Sequence, residues 1–399
     1  MSILLLNSGS SSLKATLVNS TDGDTLANGT VDWSGGTARY EFTSRNRQDG
    51  RDDVLCQNHA SAVRLFLSGL IQDRSAEFGV NLGLQGVGHR IVHGGSFTSS
   101  IRITPDVRAR IAALSVIAPL HNPPSLEALY AAEAELPDVP HVAVFDTSFH
   151  TTLPPYAFTY PIPERWTRDC GIRRYGFHGL SYAYCAGRAA EMLQRPLDKL
   201  RLVICHLGNG CSATAVLNGK SIDTTMGLTP LEGLMMGTRC GSIDPSIILE
   251  MQLRHGMSAT EVETTLNRQS GLLGVSRISG DLRPVQAAAD SGNIQAKLAL
   301  EIYVHRIRKA IGALTVTMGG VDALIFTAGV GEHANFIREQ VCDGLQCLGL
   351  KLDSDRNASL APDADLSSST SPGRILIIHT REDLTMFREV LKVLQLEAG

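Results

Sequence analysis

No apolar run in these 399 residues approaches the roughly 18 that a membrane-spanning helix needs. The longest N-terminal run, Ile3–Leu6, is four residues with no basic flank, too short for a secretory signal. It reads as a first β-strand, and the chain as cytoplasmic. No CxxC pair occurs among the eight cysteines, which argues against structural zinc and leaves free thiols as the simple reading. There is no excess of basic charge: 36 Lys and Arg against 40 Asp and Glu give a net charge of −4. Nucleic acid is therefore not expected as a partner, nor is a membrane. No Walker A pattern is present, and no low-complexity tract is long enough to form a disordered domain. With 43% hydrophobic and 19% charged residues, the chain has the composition of a folded protein of two or three domains.

Short apolar runs of strand length recur at Ile3–Leu6, Val142–Phe145, Leu202–Cys205, Ala323–Phe326 and Ile375–Ile378. Between them lie helical patterns at Ala60–Ile71, at Ser125–Glu135 with Ser125 as its cap, and from Asn293 to Met318. Strands alternating with helices indicate an α/β protein. Ala361–Gly373, rich in Ser, Asp and Pro, reads as a loop before the last strand. The stretches Leu4–Leu17 and Ile204–Leu217 align without gaps at an offset of 200, each a strand, a small-residue turn and a second strand. This weak repeat suggests two related domains with a ligand cleft between them.

Several segments carry chemistry. Asn7-Ser8-Gly9-Ser10-Ser11-Ser12-Leu13-Lys14 combines a small-residue turn, whose N–H groups can approach an anion, with a lysine and a neutral oxygen donor suited to a hard cation. His206-Leu207-Gly208-Asn209-Gly210 offers a similar cradle, or a type I′ hairpin turn at Asn209-Gly210, or both. Gly329-Val330-Gly331-Glu332-His333 follows a strand and precedes a helix expected at Phe336–Leu345; it reads as a nucleotide-binding turn or an ordinary tight turn. Arg90 and Arg239 each stand in a glycine-rich frame and suit carboxylate or phosphate, with a surface ion pair as the plain alternative. Asp146 stands at a strand end, where α/β proteins place site residues. His178 suits a donor to a phosphoryl group or a structural role, and Asp281-Leu282-Arg283 and Glu382 suit site residues or solvated helix termini.

As an ordered set, these segments resemble the acetate kinases, within the acetate and sugar kinase, chaperone ATPase and actin superfamily. Gly88–Gly95, Ala118–Pro124, Phe145–His150, Arg174–Gly179 and Thr229–Leu234 belong to the same set, which spans essentially the whole chain. The resemblance implies an α/β fold of two duplicated actin-like (ribonuclease H-like) domains with a nucleotide-binding cleft between them. The first would comprise residues 1–148, joined by a C-terminal helix at about 383–399, and the second residues 149–382. It implies reversible phosphoryl transfer from ATP to acetate, giving ADP and acetyl phosphate, with Mg2+ (Mn2+ as the alternative ion), in a homodimer. Asn7 and Glu382 would hold the metal. Lys14, His206, Leu207, Gly208, Asn209, Gly210, Asp281, Leu282, Arg283, Gly329, Val330, Gly331, Glu332 and His333 would contact the nucleotide. Arg90 would bind the acyl substrate, with Val92, Leu120, Phe177 and Pro230 around its methyl group. Asp146 would take the acid/base position, and His178 and Arg239 would stabilise the transition state, with His178 protonated as one way of offsetting negative charge. Acetate is already deprotonated at pH 7 and needs no general base, so Asp146 is expected to orient Arg239 or a metal-bound water instead. Propionate or butyrate kinase is the neighbouring reading, and an actin- or chaperone-like ATPase module the distant one.

The chain departs from the family pattern at several points. Cys211 and Cys240 stand where Ser is usual, Ser242 replaces Asp, Leu180-Ser181-Tyr182 replaces Thr-Ser-His, and Ala334 follows His333 where Glu-Asn-Ser is common. Thiols beside a phosphate turn raise the expectation of oxidation sensitivity, against plain tolerated variation.

Overall fold

A computed structural model describes residues 1–33, 37–45, 47–73 and 83–397. The chain divides into two compact units, Met1–Ser148 with Arg381–Gly399, and Phe149–Thr380. In chain order the strands of the first unit are β1 (Ser2–Ser8), β2 (Ser12–Asn19), β3 (Thr25–Asp32), β4 (Ala38–Ser44), β5 (Gln48–Val54), β6 (Leu84–Ile91), β7 (Ile101–Arg102) and β8 (His141–Phe145). Those of the second are β9 (Arg201–Leu207), β10 (Cys211–Leu217), β11 (Lys220–Thr224), β12 (Ala323–Thr327), β13 (Ala364–Asp365) and β14 (Arg374–Ile377).

The first sheet runs β5-β4-β3-β2-β1-β6-β8-β7, and the second β11-β10-β9-β12-β14-β13. Each is centred on a strand, β1 or β9, flanked by an antiparallel hairpin partner on one side and by parallel strands reached through helical crossovers on the other. The duplication holds at this level, and the chain is a mixed α/β protein. Residue by residue, the ungapped repeat fails. Leu4 faces Leu17, but Ile204 faces Thr214 rather than Leu217. The second hairpin closes three residues earlier, so the apparent identities at Ser212 and Ala215 do not mark equivalent ladder positions.

Covering helices explain why the central strands are apolar throughout. Ile3, Leu4, Leu5 and Leu6 are all buried, as a strand covered on both faces requires. One side is covered by the helix His59–Gln72, which buries Ala62, Val63, Phe66 and Leu70, and by Asn122–Glu135. The C-terminal helix, Glu382–Glu397, packs against β6: a Cβ on Gly88 would lie 2.6 Å from Val390 Cγ2. That glycine of the Gly88–Gly95 motif is thus required for packing. Residues 398 and 399, included in the expected C-terminal helix, lie outside the described residues. In the second unit the helix Gly179–Leu193 places Tyr182, Cys185, Ala186 and Ala189 against β9, β12 and β14. Ile294–Thr317, capped by Asn293, is the long helical pattern read from the sequence.

Three local expectations change. Asn122–Glu135 begins before its prolines, which sit in the first turn where a missing N–H is harmless, and Ser125 lies inside the helix with Oγ bonded to His121 O. The residues expected as a turn at Gly329–His333 form a short helix, Ala328–His333, followed by Asn335–Cys342 in place of a helix reaching Leu345. The turn at Gly208-Asn209-Gly210 is not type I′. Neither Asn209 nor Gly210 has the positive φ that type I′ demands; the turn is closed by Gly208 N–H to Gly210 O at 3.1 Å.

Candidate active site

In the first unit, three strand ends and a helix start converge. Asn7 at the end of β1 pairs directly with Lys14 across the hairpin, so both side chains share one face. The turn between them is held by His59, whose Nε2 lies 2.8 Å from Gly9 O while Nδ1 meets Glu127 at 3.2 Å. Arg90, near the end of β6, binds Asp146, immediately after β8, through two bonds: Nε to Oδ1 at 2.8 Å and Nη2 to Oδ2 at 2.7 Å. Its Nη1 lies 3.2 Å from Asn7 Oδ1 and 3.0 Å from Glu382 Oε2, on the first residue of the C-terminal helix. Asp146 is buried; Arg90 and Glu382 keep small exposed fractions. The side chain that Asp146 orients in this structure is therefore Arg90.

The electrostatics follow from burial. Desolvation opposes the Arg90 charge, yet Asp146 and Glu382 beside it hold its pKa above the ordinary arginine value. Burial, only partly offset by Arg90, pushes Glu382 above the usual carboxylate range. Asn7 Oδ1 and Glu382 Oε2 both accept from Arg90 Nη1, which places a neutral and an acidic hard oxygen donor side by side. That donor set fits a partly hydrated divalent cation. The glycine frame after β6 is fastened by residues the sequence reading assigned no role. Asn122, wholly buried, accepts from His93 N–H and donates to His93 O, and Thr147 Oγ1 accepts from Gly94 N–H. Val92 and Leu120, expected at the acyl methyl group, are half-buried in this unit.

In the second unit the residues gather around the turn at Gly208–Gly210. His178 precedes the helix Gly179–Leu193 in a left-handed conformation, φ 59°. Its ring stacks on His206 with centroids 4.1 Å apart and planes at 19°. A Cβ on Gly210 would lie 3.4 Å from His178 Nε2 and 3.7 Å from Arg239 Nη1, which places all three together. Arg239 donates to Pro230 O at 3.2 Å, and burial lowers its pKa. Asn209 Oδ1 and Gly280 O crowd Gly237, since a Cβ there would meet each at 2.7 Å; this brings the turn, the Arg239 frame and the Asp281–Arg283 segment side by side. Phe177 and Pro230 are buried in this unit. His150, the last residue of the Phe145–His150 motif, holds the segment before His178: Nε2 meets Phe177 O at 3.0 Å and Nδ1 meets Ser221 Oγ at 2.7 Å. Its burial depresses its pKa to about 4, so it is a neutral structural strut.

The remaining nucleotide candidates divide. Asp281 caps the helix Leu282–Asp290 by accepting from Arg283 N–H at 2.9 Å, and the Arg283 side chain is exposed. Gly329 faces open space. Glu332 turns inward: it accepts from Ala328 N–H at 2.9 Å and Thr380 N–H at 3.1 Å, and meets His379 Nδ1 at 2.6 Å. Its carboxylate takes up the first backbone donor of its own short helix. Arg338, almost wholly buried, donates to Gly331 O and Glu332 O from below, a fastening that lone sequence motifs do not reveal.

The Acetokinase family model matches residues 2–388. An acetate kinase of Rippkaea orientalis is 46% identical over 398 residues, 98% of each chain. The crystal structure of Porphyromonas gingivalis acetate kinase superimposes with a TM-score of 0.89 at 38% identity, covering 98% of this chain and 99% of its own. A propionate kinase from Francisella tularensis also reaches 0.89 at 38% identity, covering 97% and 98%. The chain belongs to the acetokinase family. Its activity is that of an acetate kinase, a phosphotransferase, on the actin-like ATPase fold shared by these relatives.

The two unusual cysteines differ in their surroundings. Cys211 is wholly buried, bonded to Gly208 O and Tyr303 OH at 3.2 Å, and burial pushes its thiol up to about 11. Burial also raises the half-buried Cys240. Reactivity requires an accessible thiolate; burial withholds Cys211 from solvent, whereas Cys240 keeps partial exposure.

Proposed function

We propose that this chain catalyses reversible, Mg2+-dependent phosphoryl transfer between ATP and acetate, with the sites divided between residues of the two units. The observation that carries the reading is the Arg90 cluster: a buried guanidinium held by Asp146 and flanked by two hard oxygen donors. Phosphoryl transfer between two anions needs positioning and charge compensation more than proton chemistry, and these groups supply both.

Asn7 and Glu382 would hold the Mg2+, with Mn2+ as the alternative ion. Bound there, the ion would neutralise phosphate charge. Arg90 binds the acceptor carboxylate, and Asp146 keeps its fork in one orientation without acting as a base. Lys14, the 206–210 turn, 281–283 and 329–333 contact the nucleotide. His178 and Arg239 donate to the transferring phosphoryl group. Val92, Leu120, Phe177 and Pro230 surround the acyl methyl. A homodimer in the cytoplasm, with no nucleic-acid or membrane partner, is the setting that the family resemblance and the net charge support.

The equal superposition on a propionate kinase makes chain length the second question, because one methylene in an apolar pocket is worth only about 1–3 kcal/mol. Val92, bulkier than alanine, favours acetate. The test is magnesium-dependent transfer from ATP to acetate, propionate and butyrate, with the acyl phosphate trapped by hydroxylamine. The expected result is hydroxamate with the highest kcat/KM for acetate. A maximum at a longer acid would overturn the pocket assignment, and ATP binding without any acyl phosphate would overturn the reaction.

A further inference from the structure

The segment after β6 carries Val92, His93 and Gly94, and it is fastened on both sides of Val92. Before it, Ile91 O accepts from Asp146 N–H at 3.1 Å. After it, the Asn122 side chain accepts from His93 N–H and donates to His93 O, both at 3.1 Å. Gly94 N–H then donates to Thr147 Oγ1 at 3.1 Å, and Phe97 N–H to Gly94 O at 2.9 Å. Gly94 lies hard against the end of β8: a Cβ there would stand 2.8 Å from both Phe145 Cγ and Thr147 Oγ1.

Asn122 is wholly buried. Its amide matches the one donor and one acceptor that the His93 main chain presents, as a neighbouring strand would. An apolar side chain would serve helix packing alone, as Leu126 and Leu129 do on the same helix. A buried amide is tolerated only with its partners in place. The main chain of Asn122 is committed elsewhere. Its N–H donates to Ala118 O at 3.0 Å and His121 N–H to the same oxygen at 3.1 Å, closing the turn that carries Leu120. Asn122 is thereby joined through its backbone to the Leu120 turn and through its side chain to the residue after Val92.

We propose that Asn122 is a specificity-setting positioning residue: by bridging the Leu120 turn to the Val92 segment, it fixes the spacing of the acyl pocket and so the length of carboxylic acid accepted. This rests on the reading of Val92 and Leu120 as contacts of the acyl methyl group. An amide bonded twice to one peptide has a fixed reach, and discrimination by one methylene responds to small changes in such a spacing. Thr147 holds the same frame from the other side, through Gly94. The Arg90–Asp146 pair does not depend on the Asn122 amide, so the carboxylate anchor and the chain-length gauge are separable.

The experiment is the hydroxylamine-trapped assay on the full-length protein with acetate, propionate and butyrate, comparing the unaltered chain, Asn122→Asp, Val92→Ala and the double variant. Asn122→Asp keeps the shape and the acceptor for His93 N–H but sets an oxygen against His93 O. It is expected to lower kcat/KM for acetate mainly through KM and to raise the propionate-to-acetate ratio about tenfold, with the KM for ATP unmoved. In the Val92→Ala background the same substitution should change that ratio by less than about twofold, because the side chain it positions is already gone. An equal loss for all three acids, or a ratio change that multiplies fully with that of Val92→Ala, would overturn the proposal. If Asn122→Asp does not fold, Thr147→Val tests the same frame at nearly constant volume: the ratio should rise in the same direction, and an unchanged ratio would overturn it. Absence of acyl phosphate from the unaltered protein with every acid would overturn the kinase reading and this role together. Acyl phosphate formation with uniform losses in the variants would overturn only the role of Asn122.

Discussion

The two units share a sheet plan and differ in how they manage charge. In the first, Arg90, Asp146, Glu382 and Lys14 form a compact set of opposing charges, with Asn7 among them. In the second, the corresponding hairpin is surrounded by serine, threonine, tyrosine and histidine, and the cation Arg239 donates to a backbone carbonyl. One strand order therefore supports both an ionic clamp and a neutral hydrogen-bond array. The difference arises at strand ends and turns, where side chains vary without disturbing the ladder. The two hairpins differ in closure, the second three residues earlier, and in the side chains they carry, Asn7 and Lys14 in one and His206 and Asn209 in the other.

The comparison can be broken most forcefully at its cations. Arg239→Ala should lower kcat on the order of 10³-fold, by analogy with arginine fingers, while the KM for acetate moves far less. A loss confined to KM would move Arg239 out of the transition state. On the ionic side, Asp146→Ala removes the two bonds that hold the Arg90 fork and leaves Glu382 as its remaining carboxylate, and should cost about 3 kcal/mol in urea unfolding. The milder Asp146→Asn should lower kcat yet keep every limb of the pH–rate profile; disappearance of a limb would restore a base role.

The neutral side has its own pH signature. His150 is held near 4 in the folded chain, against an unfolded value near 6.5. Below 6.5 the unfolded state binds more protons, so the stability that neutral His150 contributes is complete above that pH. It is lost progressively as pH falls towards 4, amounting to about 3 kcal/mol over the window. Unfolding free energies measured across pH 7.5–4.5 should show this slope, and His150→Gln should flatten it. A smaller effect is expected at the acyl pocket, where Val92→Ala should raise the propionate-to-acetate ratio of kcat/KM by roughly tenfold. The smallest belongs to Arg283→Ala. Its side chain is 89% exposed and pairs only locally, so the unfolding midpoint should not move and the KM for ATP should rise a few-fold at most. A large loss of kcat there would show that the exposed segment does more than contact the nucleotide.

Much of the framework was legible in the chain itself. The apolar runs became β1, β8, β9, β12 and β14 because short, wholly buried strands need continuous apolar sequence. The long pattern after Asn293 became a helix because a cap and a 3.6-residue period agree over many turns. The motifs that carry the family resemblance were equally readable, since small residues beside Lys, Arg and His have few other uses. Less legible was the start of Asn122–Glu135, where two prolines read as a boundary but sit inside the first turn.

What the sequence determined alone was therefore the class of fold, the family and the residue types available for chemistry, all of which are local patterns. Tertiary structure decided the pairings. Arg90 with Asp146, Asn122 with His93, His150 with Phe177, and Tyr182 with Ser212 and His178 join residues separated by 27 to 56 positions or, for Tyr182 and His178, by four along a helix start. Whether a polar side chain is a partner, a strut or a donor depends on which groups share its buried surroundings. Those are set by strand order and register, which the linear pattern of apolar and polar residues does not encode.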